Sequence, residues 1–429
     1  MIEPPKRFAI VSLGCPKNLV DAEYICEQLF RVGFSMETSP EQADLVIVNT
    51  CAFLISSVDE SIQTLLRFIQ EGKEVVCTGC LVSRYREELR EEMPEIRLFA
   101  GPGTYANLPE ALKKNTRFLP PLFDSVVQRT FVSTGAYAYV KVSEGCSNHC
   151  HYCLIPALRG ELVSKPPESI LKECRGLAEA GVKELILIGQ DLGSYGKDLG
   201  LSDGLPELLK GTTDIDGITW VRLMYMHPAS LRESLVRIIA EHPKICSYID
   251  MPIQHIADKV LKAMGRKGGA EAVHRALTML KGHDIWIRTT LMVGHPAEDN
   301  AAFQALEKFV AQEHIDSLGV FEYSPEPNTV SASLPQIADD VKMLRRDRIM
   351  SQQKKNSQTR LKKLIGRKLK VLLEGYHAET DLLLQARSEF QAPDVDGVVI
   401  VNKGSAPFGT MVVAEITGCT DYDLVGRIV

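Results

Sequence analysis

The sequence predicts an α/β protein in three parts: an amino-terminal parallel α/β domain (residues 5–118), a central partial (β/α)6 barrel (132–364) and a small carboxyl-terminal antiparallel β-barrel (366–429). Three observations carry this. Short apolar runs alternate with amphipathic stretches near the start, which is the order of a parallel sheet with crossover helices. After a Pro-containing segment, Phe118–Thr130, the alternation resumes in six longer units. The tail breaks into short β-like runs punctuated by Gly, Pro and Asp.

In the first part, strands are expected at Arg7–Gly14, Ala43–Thr50, Glu74–Thr78 and Ile96–Ala100, with helices at Leu19–Gly33, Ile55–Gly72, Val82–Met93 and Leu108–Lys114. The central part carries strand patterns near Tyr137–Ser143, Glu184–Gly189, Thr219–Met226, Tyr248–Ile253, Ile285–Val293 and Ser317–Tyr323. Between them, Pro167–Gly181, Ser230–His242, Gly269–Gly282 and Asn300–Glu313 repeat apolar residues at helical spacing. From Ala338 to Gly366 a helix-like connector holds nine basic and three acidic side chains; a solvated helix is the bland reading and a phosphate- or partner-facing surface the sharper one. The tail runs Lys370–Leu373, Gly397–Val401 and Thr410–Ile416 suit a small barrel.

With 45% hydrophobic and 24% charged residues, the composition is that of a globular chain, and no apolar run is long enough for a bilayer span. No membrane association and a cytoplasmic location are expected. A formal charge of −6 argues against general nucleic-acid affinity. In a reducing compartment, 11 cysteines fit metal ligation and core packing better than a disulfide framework.

Cys146, Cys150 and Cys153 place three thiols in one loop directly after the first central strand. Three thiolates on a four-iron core leave one iron open, where a substrate or cofactor can chelate. The carboxyl end of a barrel strand is also where such folds put their sites. Zinc remains the competitor, with His149 or His151 as fourth ligand, although the spacing is not that of paired zinc doublets.

Cys15, Cys51 and Cys80 look unrelated, yet each ends a predicted parallel strand, so the topology brings them to one sheet edge. The alternative is three independent buried cysteines. Cys77 lies three positions from Cys80 on a strand and points to the other face, so it reads as core. Cys26, Cys174, Cys246 and Cys419 also read as structural.

The Cys146-x-x-x-Cys150-x-x-Cys153 loop with Tyr152 before its last cysteine resembles the signature of the radical S-adenosylmethionine (SAM) superfamily. The motifs around Cys15, Cys51 and Cys80 resemble those of its methylthiotransferase family, and the resemblance spans essentially the whole chain. It implies a radical-SAM-type central barrel, a TRAM-like terminal barrel, and two 4Fe–4S clusters, one held by each cysteine trio. SAM then serves as methyl donor and as radical source. Tyr152 would lie beside the adenine, and Gln190, Asp191, Thr290 and Gly294 sit in strand-end segments resembling those that border the cofactor; without the resemblance, Gln190 and Asp191 read equally well as ordinary strand-end polar residues. No side chain is assigned as catalytic, because removing hydrogen from unactivated carbon is cofactor chemistry.

Within the family, Ser12–Asp21, Gln190–Gly196, Asp250–His255 and Gln391–Gly397 resemble the branch that modifies an aspartate of the twelfth small-subunit ribosomal protein rather than a tRNA adenosine. Charge agrees: residues 367–429 hold six basic and nine acidic side chains, which suits a basic protein partner better than RNA. The resemblance implies that substrate, free or in the ribosomal particle, and a reduced electron donor; the basic connector leaves room for ribosomal RNA contact. Gly294-His-Pro-Ala-Glu-Asp and the segment around Glu326-Pro327 depart from the family pattern. A non-catalytic iron–sulfur scaffold is the alternative of another class.

Overall fold

The computed structural model describes residues 6–122, 129, 135–313 and 315–429. The chain divides into two compact units, one of Met1–Ser133, Lys141–His149 and Cys153–Glu173, the other of Thr134–Val140, Cys150–Tyr152 and Cys174–Val429.

The first unit is built on strands β1 (Arg7–Ser12), β2 (Ser35–Met36), β3 (Leu45–Thr50), β4 (Glu74–Gly79), β5 (Leu98–Ala100) and β6 (Phe118–Leu119), in the order β2-β1-β3-β4-β5-β6. Every pairing is parallel. β3 reads Leu-Val-Ile-Val-Asn-Thr and is buried throughout, as a strand covered on both faces must be. The first helix runs Pro16–Arg31 and so begins earlier than the apolar spacing indicated. Proline at the first turn explains this, since its missing N–H has no intrahelical acceptor to lose. The helix expected over Val82–Met93 is instead two, Cys80–Arg84 and Arg86–Glu92, broken at Tyr85 (φ −130°, ψ 46°). The edge strands β2 and β6 have two residues each, too short to leave a periodic trace. Most of the expected linker, residues 123–128 and 130, lies outside the described residues.

β7 (Tyr137–Lys141) opens the central barrel, and an antiparallel pair, β8 (Ser143–Glu144) with β9 (Val163–Ser164), follows in the first unit. The second unit continues through β10 (Glu184–Ile188), β11 (Trp220–Leu223), β12 (Tyr248–Asp250), β13 (Trp286–Val293) and β14 (Ser317–Glu322). These form two three-stranded sheets, β11-β10-β7 and β12-β13-β14, joined at a parallel bridge between Val221 and Ile245. Helices Pro167–Glu179, Glu233–Glu241, Gly269–Leu280 and Asn300–Gln312 follow the expected positions; Gly204–Thr213 is an addition between β10 and β11.

The connector is a helix over Asp339–Lys362, and it is not simply solvated. Lys342, Arg345, Ile349, Gln353, Ser357 and Leu361, at three- and four-residue spacing, form a buried face. Its cations are largely paired: Arg345 with Glu298 (2.7 Å), Arg346 with Glu322 (2.7 Å), Arg348 with Glu307 (2.7 Å), Lys354 with Asp421 (2.5 Å) and Arg360 with Asp316 (2.5 Å). The tail is a closed barrel, β15 (Lys368–His377), β16 (Thr380–Ser388), β17 (Val399–Lys403), β18 (Met411–Cys419) and β19 (Leu424–Ile428), ordered β15-β16-β17-β19-β18. Its pairings are antiparallel except β17 with β19. Among the described residues no helix is long and apolar enough to cross a membrane.

Candidate iron–sulfur sites

β1, β3 and β4 are neighbours, with Ser12 opposite Asn49, Asn49 opposite Thr78 and Thr50 opposite Gly79. Cys15, Cys51 and Cys80 follow those rows by one to three residues, at the carboxyl edge of the sheet. Glycines shape this edge. Gly14 (φ +84°) has no room for a side chain, since a Cβ would lie 2.7 Å from Cys51 Cβ and 2.9 Å from its Sγ. A Cβ on Gly79 (φ +96°) would meet the Thr50 carbonyl oxygen at 2.5 Å. Asn18 binds the edge together: its Nδ2 donates to the carbonyls of Leu13 (2.8 Å) and Thr50 (3.0 Å). Cys15 is exposed, Cys51 half-buried and Cys80 buried. Burial pushes the Cys80 thiol up to about 11 against the opposing pull of Arg159. Cys77 is pushed up to about 12 by burial within the apolar core, as a structural cysteine is.

A buried charge network flanks Cys80. Arg159 Nε donates to Cys80 Sγ at 3.1 Å, Nη1 to Asp21 (2.7 Å) and Glu144 (3.2 Å), and Nη2 to Asn18 Oδ1 (2.5 Å). Lys141 pairs with Asp21 and, at 2.6 Å, with Glu144. Burial alone lowers the Lys141 ammonium, but the two carboxylates more than offset it and raise it overall. Asn18 and Asp21 fall in the Ser12–Asp21 segment that carries the family resemblance, but no individual role attaches from the sequence alone to them or to Lys141, Glu144 and Arg159. The readable sign was Lys141, a cation within an otherwise apolar strand pattern.

In the second loop, Gly145 (φ +68°) is obligatory, because a Cβ would lie 1.9 Å from the Glu161 carbonyl oxygen. Cys146 N donates to Gly160 O (3.0 Å) and Ile155 N to Cys153 Sγ (3.5 Å), both within the first unit. Cys150 and Tyr152 belong to the second unit, where Arg266 Nη1 lies 4.0 Å from Cys150 Sγ and 3.5 Å from Tyr152 Oη. His149 is exposed beside Glu161 (3.2 Å), and His151 Nδ1 contacts Ala263 O (2.9 Å). Among the described residues, no three or more His, Cys, Asp or Glu side chains are grouped closely enough to hold a single metal ion.

Asp191 follows β10 and is buried: it accepts from Ser194 Oγ (2.7 Å), Ser230 Oγ (3.0 Å) and His227 N (3.2 Å). Its carboxylate organises the strand-end loops. Gln190, half-buried, precedes it. Thr290 lies mid-strand in β13, half-buried, with its carbonyl accepting from Gln254 N (2.9 Å). Gly294 (φ +77°) ends that strand; its N–H donates to Glu298 (3.0 Å), and a Cβ would meet Lys342 Cγ at 2.3 Å.

Three family profiles match the chain: uncharacterized protein family UPF0004 over residues 7–101, the radical SAM superfamily over 140–310 and the TRAM domain over 365–429. Curated relatives match from end to end. The protein named ribosomal protein uS12 methylthiotransferase RimO from Geobacter sulfurreducens is 40% identical over 100% of both chains. Those of the same name from Geotalea uraniireducens and Bdellovibrio bacteriovorus are each 41% identical over 99% of this chain and 98% of theirs. Among solved structures, the radical SAM methyltransferase TsrM from Kitasatospora setae, with cobalamin and a 4Fe–4S cluster bound, superposes with a TM-score of 0.59 at 16% identity over 76% of this chain and 77% of that one. The cobalamin-dependent radical enzyme OxsB gives 0.52 at 12% identity, over 81% and 56% respectively. These last two speak to the fold alone. On its full-length identity to these relatives and its radical SAM and TRAM segments, the chain belongs to the RimO family of radical SAM methylthiotransferases.

Proposed function

We propose that this protein adds a methylthio group to the β-carbon of an aspartate in ribosomal protein uS12. Cys146, Cys150 and Cys153 would hold one 4Fe–4S cluster, and Cys15, Cys51 and Cys80 a second. The observation that most supports the second is the placement of its three cysteines beyond adjacent parallel strands, on an edge kept free of side chains at Gly14 and Gly79. When bound, the clusters and SAM supply the one-electron and methyl-transfer chemistry that side chains lack. The chain's own task is to hold sulfur ligands, cofactor and substrate in place and to keep water out. Tyr152, Gln190, Asp191, Thr290 and Gly294 are the residues assigned to SAM. Asp191 would act through the loops it organises, and Gly294 through a backbone that leaves no room for a side chain.

We infer domain limits of 5–118, 132–364 and 366–429, a cytoplasmic location, and a reduced electron donor as partner. The excess of acidic side chains over residues 367–429 supports a basic protein substrate, presented free or in the ribosomal particle, and the basic connector leaves room for ribosomal RNA contact. The test is an anaerobic reaction with reductant, SAM, purified uS12 and tRNA together, followed by mass spectrometry of both. Methylthio on the uS12 aspartate, with release of 5′-deoxyadenosine, is expected. Methylthio on tRNA adenosine, with uS12 unchanged, would transfer the chain to the tRNA branch, and no deoxyadenosine at all would make it a scaffold.

A further inference from the structure

We propose that Arg159 is a positioning residue for the cluster at Cys15, Cys51 and Cys80: its Nε–H holds the Cys80 sulfur and thereby raises the potential at which that cluster accepts an electron. The inference rests on the reading that those three cysteines carry a cluster.

The donor is aimed at sulfur although better acceptors stand beside it. Arg159 and Cys80 are 2% and 6% exposed, so neither contact is screened by water. Asp21 and Glu144 already balance the charges of Arg159 and Lys141, and both carboxylates lie within reach of Nη1. Directing Nε at 3.1 Å to a thiol would gain little, because a neutral thiol is a weak acceptor. The same geometry is a strong charge-assisted bond once the sulfur is anionic, as an iron-bound sulfur is.

The guanidinium cannot turn away. Nη1 is fixed by the two carboxylates and Nη2 by Asn18, whose own Nδ2 is tied to the backbone just before Cys15 and Cys51. Arg159 thus bonds to one ligand directly and, through Asn18, to the loops of the other two. It also ends the five-residue helix Ile155–Arg159 that follows Cys153. Hydrogen bonds to ligand sulfurs are among the determinants of cluster potential. A cationic donor stabilises the more electron-rich reduced form more than the oxidised one, so its effect is to raise the potential.

The test uses the full chain with Cys146, Cys150 and Cys153 all replaced by Ala, reconstituted anaerobically so that only the cluster at the other trio remains. Arg159→Lys in this background keeps the charge and removes the fixed Nε–H. Both proteins should hold about four iron. In an EPR-monitored redox titration the Lys variant should show a reduced-to-oxidised ratio on the order of ten-fold lower at a fixed potential, a shift of about 59 mV downward. An unchanged midpoint overturns the proposal. Should the Lys variant fail to fold or load, the parent decides. With 15N in its arginine guanidiniums, pulsed EPR of the reduced cluster should show a weak 15N coupling, and its absence overturns the proposal equally. A parent that binds no iron refutes the cluster assignment itself, and the proposal with it, and is recognised from the iron content before any titration.

Discussion

Glu184, fully buried in β10, is held between two buried guanidiniums: its Oε1 accepts from Arg222 Nε and its Oε2 from Arg387 Nη2, each at 2.6 Å. Burial by itself pushes the carboxyl up, but the two cations win and hold it below the usual carboxylate range. Glu184→Gln therefore removes a charge and leaves two buried cations short of an acceptor. Breaking a buried ion pair from one side costs about 3–5 kcal/mol. Here the low end applies, because Arg387 keeps Glu374 (2.7 Å) and Gln391 O (3.0 Å), and Arg222 keeps Glu389 O (2.7 Å). We expect a loss of about 3 kcal/mol in anaerobic urea unfolding, read by the fluorescence of Trp220 and Trp286, both in central strands. Replacing the set together, Glu184→Leu with Arg222→Met and Arg387→Met, should recover part of the loss, since it strands no charge in the core and leaves without its partner only Glu374, whose side chain still reaches water. The linkage has a definite sign. With its folded value lowered, Glu184 contributes its stability above the ordinary carboxylate range and loses it as pH falls through the lowered value. The acid limb should therefore be shallower in the Gln variant. A change below about 1 kcal/mol in Glu184→Gln, or a triple variant weaker than the single one, would refute the reasoning.

Gly14→Ala should cost about half the iron while leaving 5′-deoxyadenosine production from SAM in place, since its Cβ would strike Cys51; unchanged iron would contradict this. Replacing Cys146, Cys150 and Cys153 by Ala should abolish deoxyadenosine release altogether, as read by chromatography. His295 donates from Nε2 to Ser331 Oγ (2.9 Å), its Nδ1 accepts from Ala297 N (3.2 Å), and burial lowers it to about 4, so it is neutral in the fold. Its contribution is complete above the unfolded value of 6.5 and is lost as pH falls toward about 4. His295→Gln should remove on the order of 2 kcal/mol of the stability change across that window, measured by urea titrations at stepped pH.

Much of the architecture was written in periodicity and residue type. The uniformly apolar run Leu45–Val48 marks a strand covered on both faces, and three cysteines just beyond β1, β3 and β4 become neighbours by topology alone. What local patterns could not carry was long-range. Arg159 meets Cys80 across 79 positions, and Glu184 meets Arg387 across 203, so each side chain looks in isolation like an ordinary surface charge. The same holds for the connector, whose charged spelling hides a buried face of Lys342 and Arg345 with Ile349 and Leu361. The split at Tyr85 and the two-residue strands β2 and β6 are decided by packing rather than by propensity.

Iron quantification with Mössbauer spectroscopy on anaerobically prepared protein tests the central claim most directly. The wild-type chain should hold about eight iron in two four-iron clusters, and each triple variant, Cys15/Cys51/Cys80→Ala or Cys146/Cys150/Cys153→Ala, about four. A wild-type chain with a single cluster, or a first triple variant that keeps the wild-type iron, would contradict it.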